Sequence, residues 1–215
     1  MVKIAPSILA ADLLKIEKEV INVDKAGAEY IHIDIMDGHY VENISFGPKI
    51  IKSLRPITSK ILDVHLMISP VIPYISNFIE AGSDIISFHP EADEQPEKIL
   101  EIIKKSGCKS GIAIHPNVEI NEIVSFINDV DIVIVMTVVP GFAGQQFLEN
   151  QLSKISQLKK IRNLNKFHFE IEVDGGINNL TSKSCIENGA DVLVAGSYIY
   201  NNDEAEYKNL INSLR

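Results

Sequence analysis

Two imidazoles and two carboxylates, His32, Asp34, His65 and Asp174, stand where they could act together on one small molecule. The stretch 29–40, EYIHIDIMDGHY, carries the first pair. In it Ile31, Ile33 and Ile35 alternate with His32 and Asp34, so imidazole and carboxylate share one face of a strand whose other face is aliphatic. Strands covered on both faces ordinarily read as near-continuous apolar runs, and charge inside a packed interior is costly unless compensated. His65 in DVHLM (63–67) and Asp174 in FHFEIEVDGG (167–176) repeat the exception. Such a set suits a divalent metal such as zinc, iron or manganese, the cation compensating the acids and the acids anchoring the cation. A hydrogen-bonded Asp–His network without metal is the alternative. The four residues lack the short spacing of a zinc finger, so their types alone leave both readings open.

Other residues gather at the same strand ends. Met36 and Met67 lie two positions past Asp34 and His65 and share their faces, and Met136 ends a further strand. Glu172 precedes Asp174 by two and points the same way, either as a partner behind the site or as a buried, paired acid. His89 and His115, each followed by Pro, read as packed core residues and are left out of the set. Three glycine-bearing turns complete the rim: VVPGFAGQQF (138–147), DGGINN (174–179) and AGSYIY (195–200). Glycine lets the backbone approach a ligand closely, and turn N–H groups ahead of a helix favour an anion. None of the three carries Lys or Arg, so a phosphate there would be held mostly by backbone N–H groups.

The elements that must position these residues follow a recurring signature. KAGAEYIHI (25–33), EAGSDIISF (80–88) and ENGADVLVA (187–195) each end a helical stretch with Gly, then an acid, then a β-branched run, and KSGCKSGIAI (105–114) is a looser copy. Gly belongs just past a helix C-terminus, and the spacing of the four glycines approximates multiples of one βα unit. Eight strands are expected near 3–9, 30–35, 61–67, 84–88, 110–115, 131–137, 168–174 and 191–195. Between them, DLLKIEKEVINVDKAG, PEKILEIIKKSG and NEIVSFIND carry apolar residues at helical spacing. Strict βα alternation predicts a parallel sheet. Eight units in 215 residues fit one α/β domain over 1–215, a closed (β/α)8 TIM barrel with short loops. An open doubly wound sheet is the runner-up, and no GxGxxG follows the first strand to support it. In such a barrel the site forms at the C-terminal ends of the strands, where the unusual residues fall.

Composition narrows the partners. The net charge of −9 with no basic cluster argues against nucleic acid and against an anionic membrane surface. No apolar run approaches membrane-spanning length, and MVKIAPSILAAD has no signal-like apolar core. Cys108 and Cys185, far apart and without CxxC spacing, read as free thiols of a cytoplasmic protein.

With these motifs in hand, the chain resembles the ribulose-phosphate 3-epimerase family over essentially its whole length. The resemblance rests on APSILAADL (5–13), HIDIMDGHYVENISFGP (32–48), DVHLM (63–67), PGFAGQQF (140–147), VDGGIN (173–178) and AGS (195–197). It implies a (β/α)8 barrel of the ribulose-phosphate-binding kind that interconverts D-ribulose 5-phosphate and D-xylulose 5-phosphate in the pentose phosphate pathway. It implies His32, Asp34, His65 and Asp174 as ligands of one divalent ion (zinc, iron, manganese or cobalt), with Asp34 and Asp174 as the acid/base pair. It implies Ser7 and His65 as substrate contacts, and Gly141, Phe142, Ala143, Gly144, Gly175, Gly176, Gly196 and Ser197 as the phosphate-end elements. Two carboxylates from different strands can take a proton from one face of a carbon beside a carbonyl and return one to the other. Met36, Met67 and Met136 would wall the enediolate from water. A ketose phosphate substrate and a homo-oligomer are expected.

The sequence departs from the family pattern at Glu42, where Pro is usual, at Val139 for Asn, at Ala143 for Gly, and at Tyr198 for a small residue. Ala143 and FEIEVDG are also similar to the relative that epimerises allulose 6-phosphate, whereas FGP and DGGIN favour the pentulose. Sugar-phosphate decarboxylases or aldolases, and a non-catalytic phosphate-binding barrel, are further alternatives. The former would be expected to place a Lys near the reacting carbons, and none lies in the strand-end motifs.

Overall fold

The computed structural model describes residues 1–215. Eight strands form its sheet: β1 Lys3–Pro6, β2 Tyr30–Met36, β3 Ile61–Met67, β4 Ile85–Phe88, β5 Lys109–Ile114, β6 Ile132–Met136, β7 Glu170–Asp174 and β8 Val192–Ala195. All adjacent pairs are parallel, and the order β1-β8-β7-β6-β5-β4-β3-β2 brings the first and second strands to the two edges. A bridge between Ser7 and His32, with Glu29 N donating to Ile4 O at 3.1 Å, joins those edges. The sheet is therefore a TIM barrel, and its helices occupy the outside as the βα alternation requires. No helix is long and apolar enough to cross a membrane.

Period-two alternation decides what each strand gives to which side. On β2, Ile31, Ile33 and Ile35 join the large outer core under the helices, while Tyr30, His32, Asp34 and Met36 turn inward. The inward residues fall into levels. At the N-terminal end of the strands Lys3, Tyr30 and Glu170 close the barrel: Tyr30 Oη donates to Glu170 Oε2 at 2.8 Å, and Lys3 pairs with Glu170 and Tyr30. Above this lies an apolar cluster of Ala5, Ile85, Ile132, Val192 and Val194. The polar set comes next, towards the C-terminal ends.

The helices run α1 Ile16–Ala26, α2 Pro48–Leu54, α3 Ile75–Glu80, α4 Pro96–Ser106, α5 Ile120–Ile127, α6 Leu152–Asn165, α7 Thr181–Asn188, α8 Ser197–Tyr200 and α9 Tyr207–Ser213. The repeated glycine does what its position demands: Gly27, Gly107 and Gly189 follow α1, α4 and α7 with φ of 99°, 86° and 120°, a left-handed cap that avoids any Cβ clash. Three local expectations need correcting. The first strand stops at Pro6, not near residue 9: Ser7 still donates its N–H to Ala195 O at 3.2 Å and bridges His32, and Ile8–Ala10 then turns out of the ladder as a 3₁₀ turn. The first helix is preceded by a 3₁₀ turn at Leu13–Lys15, capped by Asp12, whose side chain accepts from Leu14 N at 3.1 Å. Finally, the segment read as a turn after β8 contains the four-residue helix α8.

The barrel interior is narrow at β5. A Cβ on Gly111 would stand 2.5 Å from Ile132 Cγ2 and 2.8 Å from Ser87 Cβ on the two neighbouring strands. Gly111→Ala is therefore expected to destabilise the fold by about 1–3 kcal/mol through overpacking. A lowered denaturant midpoint at unchanged m-value would show it; an unchanged midpoint would mean the strands can spread at no cost.

Candidate active site

The register of the barrel sets the polar residues at matched heights. On β2 and β3, His32 is paired with Asp63, Asp34 with His65, and Met36 with Met67; on β6 and β7, Met136 is paired with Asp174. Each pair has one side chain per strand on the inner face, so the three levels stack towards the mouth. His32 and His65 are fully buried, and Asp34 and Asp174 are 4 % and 9 % exposed.

The four predicted ligands meet at a point. His32 Nε2 lies 3.3 Å from Asp34 Oδ1 and 3.8 Å from Asp174 Oδ2, while His65 Nδ1 lies 3.4 and 3.7 Å from the same two oxygens. His32 Nε2, His65 Nδ1 and Asp34 Oδ1 are buried without any hydrogen-bond partner, which ordinarily costs about 1–3 kcal/mol each. One ligand atom from each of the four residues fits within 4.8 Å of all the others. Four atoms bound tetrahedrally to one zinc-sized ion at about 2.1 Å would stand about 3.4 Å apart. The orphaned atoms, their donor types and their spacing fit a divalent cation.

The charge balance asks for the same thing. Burial works against a protonated His32, yet Asp34 and Asp63 outweigh it and hold its pKa well above the ordinary value. Burial likewise opposes charge on His65, but Asp174 and Asp34 push it up to about 9. Asp34 is held well below the usual carboxylate range by His32 and His65, in spite of its burial. Glu172 is pushed up to about 8, by burial first and then by the charge of Asp63. Left to themselves these acids draw protons onto the imidazoles; a cation would supply the positive charge instead.

A supporting tier lies beneath. His32 Nδ1 stands 2.7 Å from Asp63 Oδ2 and 3.2 Å from Glu172 Oε1, so these acids orient the ring and turn Nε2 towards Asp34 and Asp174. Glu172 therefore lies where a partner behind the site was expected. Asp63 is new to the set, although its place two residues before His65 put it on the same face. His89 is the packed, hydrogen-bonded core residue that its setting suggests: it lies fully buried, with Nε2 at 3.0 Å from His65 Nε2. Ser7 Oγ donates to Asp34 Oδ2 at 2.7 Å, which ties the carboxylate to the strand across the seam.

Above the cluster opens a cleft. It is lined by Ser7, Asp34 and Asp174, by Met36, Met67 and Met136, and by all three glycine-bearing segments: Gly141 to Gly144, Gly175–Gly176 and Gly196–Ser197. No Lys or Arg lines it. Leu9 also lines it, as do Val138, Gln145 and Ile177 from the turns 138–147 and 174–179. Phe142, 57 % exposed, projects at the rim. The segments after β6 and β7 interlock: a Cβ on Gly176 would stand 2.8 Å from Phe147 N and Cα, at a φ of +66°. Only glycine keeps that backbone contact and its left-handed turn together. His115 lines a neighbouring hollow rather than the cleft.

The family model and the similar relatives agree on one family. A family model described as the ribulose-phosphate 3 epimerase family matches residues 3–200. The ribulose-phosphate 3-epimerase of Bacillus subtilis (strain 168) is 44% identical over 216 residues, covering 100% of this chain and 99% of its own. That of Escherichia coli (strain K12) is 39% identical over 214 residues, covering 99% and 94%. Among solved structures, 3-keto-L-gulonate-6-phosphate decarboxylase from Vibrio cholerae superposes with a TM-score of 0.73 at 15% identity, covering 100% of this chain and 95% of its own. Thiamine phosphate pyrophosphorylase from Pyrococcus furiosus does so at 0.67 and 16%, covering 100% and 94%. At such identities these two likenesses speak for the barrel alone.

Proposed function

The chain belongs to the ribulose-phosphate 3-epimerase family, and we propose that it interconverts D-ribulose 5-phosphate and D-xylulose 5-phosphate with Asp34 and Asp174 as the two groups that move the proton. The observation that carries the reading is the convergence of these carboxylates, from β2 and β7, on one point under the cleft. Inverting carbon 3 of a 2-ketose requires a proton to leave one face and another to arrive on the opposite face. One aspartate accepts the first while the other, protonated, donates the second, and the roles exchange with direction. Ser7 holds Asp34 by its Oδ2 and leaves Oδ1 directed to the centre.

His32, His65, Asp34 and Asp174 would hold a divalent ion, which when bound supplies Lewis-acid stabilisation for the negative oxygens of the enediolate. Met36, Met67 and Met136 exclude water from that charge and adapt to either epimer. At the far end, Gly141 to Gly144, Gly175–Gly176 and Gly196–Ser197 bring backbone close to a phosphate with no side-chain cation in the lining. The same lining supports epimerisation over decarboxylation or aldol chemistry, for which a Lys at the reacting carbons would be expected. The pentulose is preferred to allulose 6-phosphate because the similar relatives share full-length likeness and carry the ribulose-phosphate name.

The test is isotopic. Turnover of ribulose 5-phosphate in deuterated water is expected to give xylulose 5-phosphate with deuterium at carbon 3 only, because the donating aspartate equilibrates with solvent before it delivers its proton. Product formed without deuterium would mean that one group carries the same proton across, and the two-base reading would fall.

A further inference from the structure

His65 has two ring nitrogens, and the proposed chemistry uses one of them. Nδ1 faces Asp34 and Asp174, while Nε2 lies 3.0 Å from Nε2 of His89. Two ring nitrogens at that distance share one hydrogen: with none between them lone pair faces lone pair, and with two, hydrogen faces hydrogen. For Nδ1 to offer a lone pair, neutral His65 must carry its proton on Nε2, and His89 Nε2 must accept it. His89 then keeps its own proton on Nδ1. That nitrogen is buried, has no hydrogen-bond partner, and stands 3.5 Å from Glu91 Oε1, whose charge favours a proton there.

The surroundings hold this arrangement in place. Pro90 follows His89 immediately and begins the short 3₁₀ turn Pro90–Ala92, which folds Glu91 back beside the ring. Tyr40, from the loop after β2, donates to Glu91 Oε1 at 2.9 Å and lays its own ring over His89, centroids 4.7 Å apart. Three elements thus converge on an imidazole that touches neither the cleft nor solvent.

We propose that His89 and Glu91 are positioning residues that act through His65, fixing the tautomer that turns its Nδ1 lone pair towards Asp34 and Asp174. The inference rests on the reading of His65 as a metal ligand. His89→Leu removes the acceptor, whereas His89→Gln keeps an amide oxygen able to accept from His65 Nε2. Zinc affinity of the full chain, measured by competition with a chelating dye, is expected to fall about 10–100-fold in H89L and to recover in H89Q to within about threefold of the unsubstituted protein. In the zinc-loaded unsubstituted protein, nitrogen–proton spectra should show a slowly exchanging proton on His65 Nε2; in H89L it should exchange rapidly. Glu91→Gln, at a side chain 37 % exposed, should weaken zinc binding several-fold and speed the same exchange. Unchanged zinc affinity in H89L, or a His65 proton found on Nδ1, overturns the proposal; if H89L does not fold, unchanged affinity and exchange in E91Q overturn it. If the unsubstituted chain binds no zinc through His65, the ligand reading itself fails, an outcome distinct from both.

Discussion

Asp174→Asn is expected to lower kcat for ribulose 5-phosphate by on the order of 10³-fold, within the range that a positioned acid or base contributes, while the melting temperature of the metal-free variant stays close to that of the metal-free unsubstituted protein. Asparagine keeps the shape and can still accept hydrogen bonds, but it cannot take a proton. Asp174 lies at the inner end of the cleft, 9 % exposed and without tertiary salt bridges other than those to His32 and His65, so its charge supports chemistry more than folding. Asp34→Asn should have an effect of similar size, since the proposed reaction needs both faces of carbon 3 served. The two variants can be told apart. With one aspartate left, each should still exchange the carbon 3 proton of the epimer that its remaining base faces, and each should choose a different epimer. A kcat near normal in either variant, or exchange of both epimers by each, would end the two-base assignment. Metal content must be measured in parallel, because both residues are also proposed ligands, and loss of the ion would otherwise pass for loss of the base.

Stripping divalent ions from the protein should cost activity by on the order of 10²-fold or more, the scale of a single lost electrostatic stabiliser of a developing oxyanion, and returning zinc, manganese or cobalt should restore it. Stability supplies an independent readout. An ion that binds only the folded chain adds about 2.7 kcal/mol when present at 100 times its dissociation constant, and a rise in melting temperature should follow its addition. His65→Ala ought to abolish that rise, since one of the unpartnered ligand atoms is then gone. Full activity in a sample shown to be free of metal would rule out the Lewis-acid role and leave the Asp–His network as a purely hydrogen-bonded one.

Much of this arrangement is legible in the sequence. Alternation along YIHIDIM states which residues turn inward, and the same rule carried Glu172 correctly from Asp174 to the tier behind His32. The glycine signature marked helix ends that the backbone bears out with left-handed φ. Both are local: a face follows from a period of two, and a cap from the φ that one residue can adopt. The end of β1 is less legible, because the chain leaves the ladder for the 3₁₀ turn Ile8–Ala10 soon after Pro6.

The rest belongs to closure of the barrel. Which inward residue of one strand meets which of the next depends on register, and register is set by the stagger needed to close eight strands, not by any short stretch. Hence Asp63 meets His32, His89 meets His65, and Lys3, Tyr30 and Glu170, from three distant parts of the chain, seal the opposite end. A histidine before a proline looks the same in sequence whether it fills the core or backs a ligand. The chain alone determined the faces, the caps and the types of group available; only the folded barrel decided which of them touch, because side-chain direction is a property of one strand while distance is a property of two.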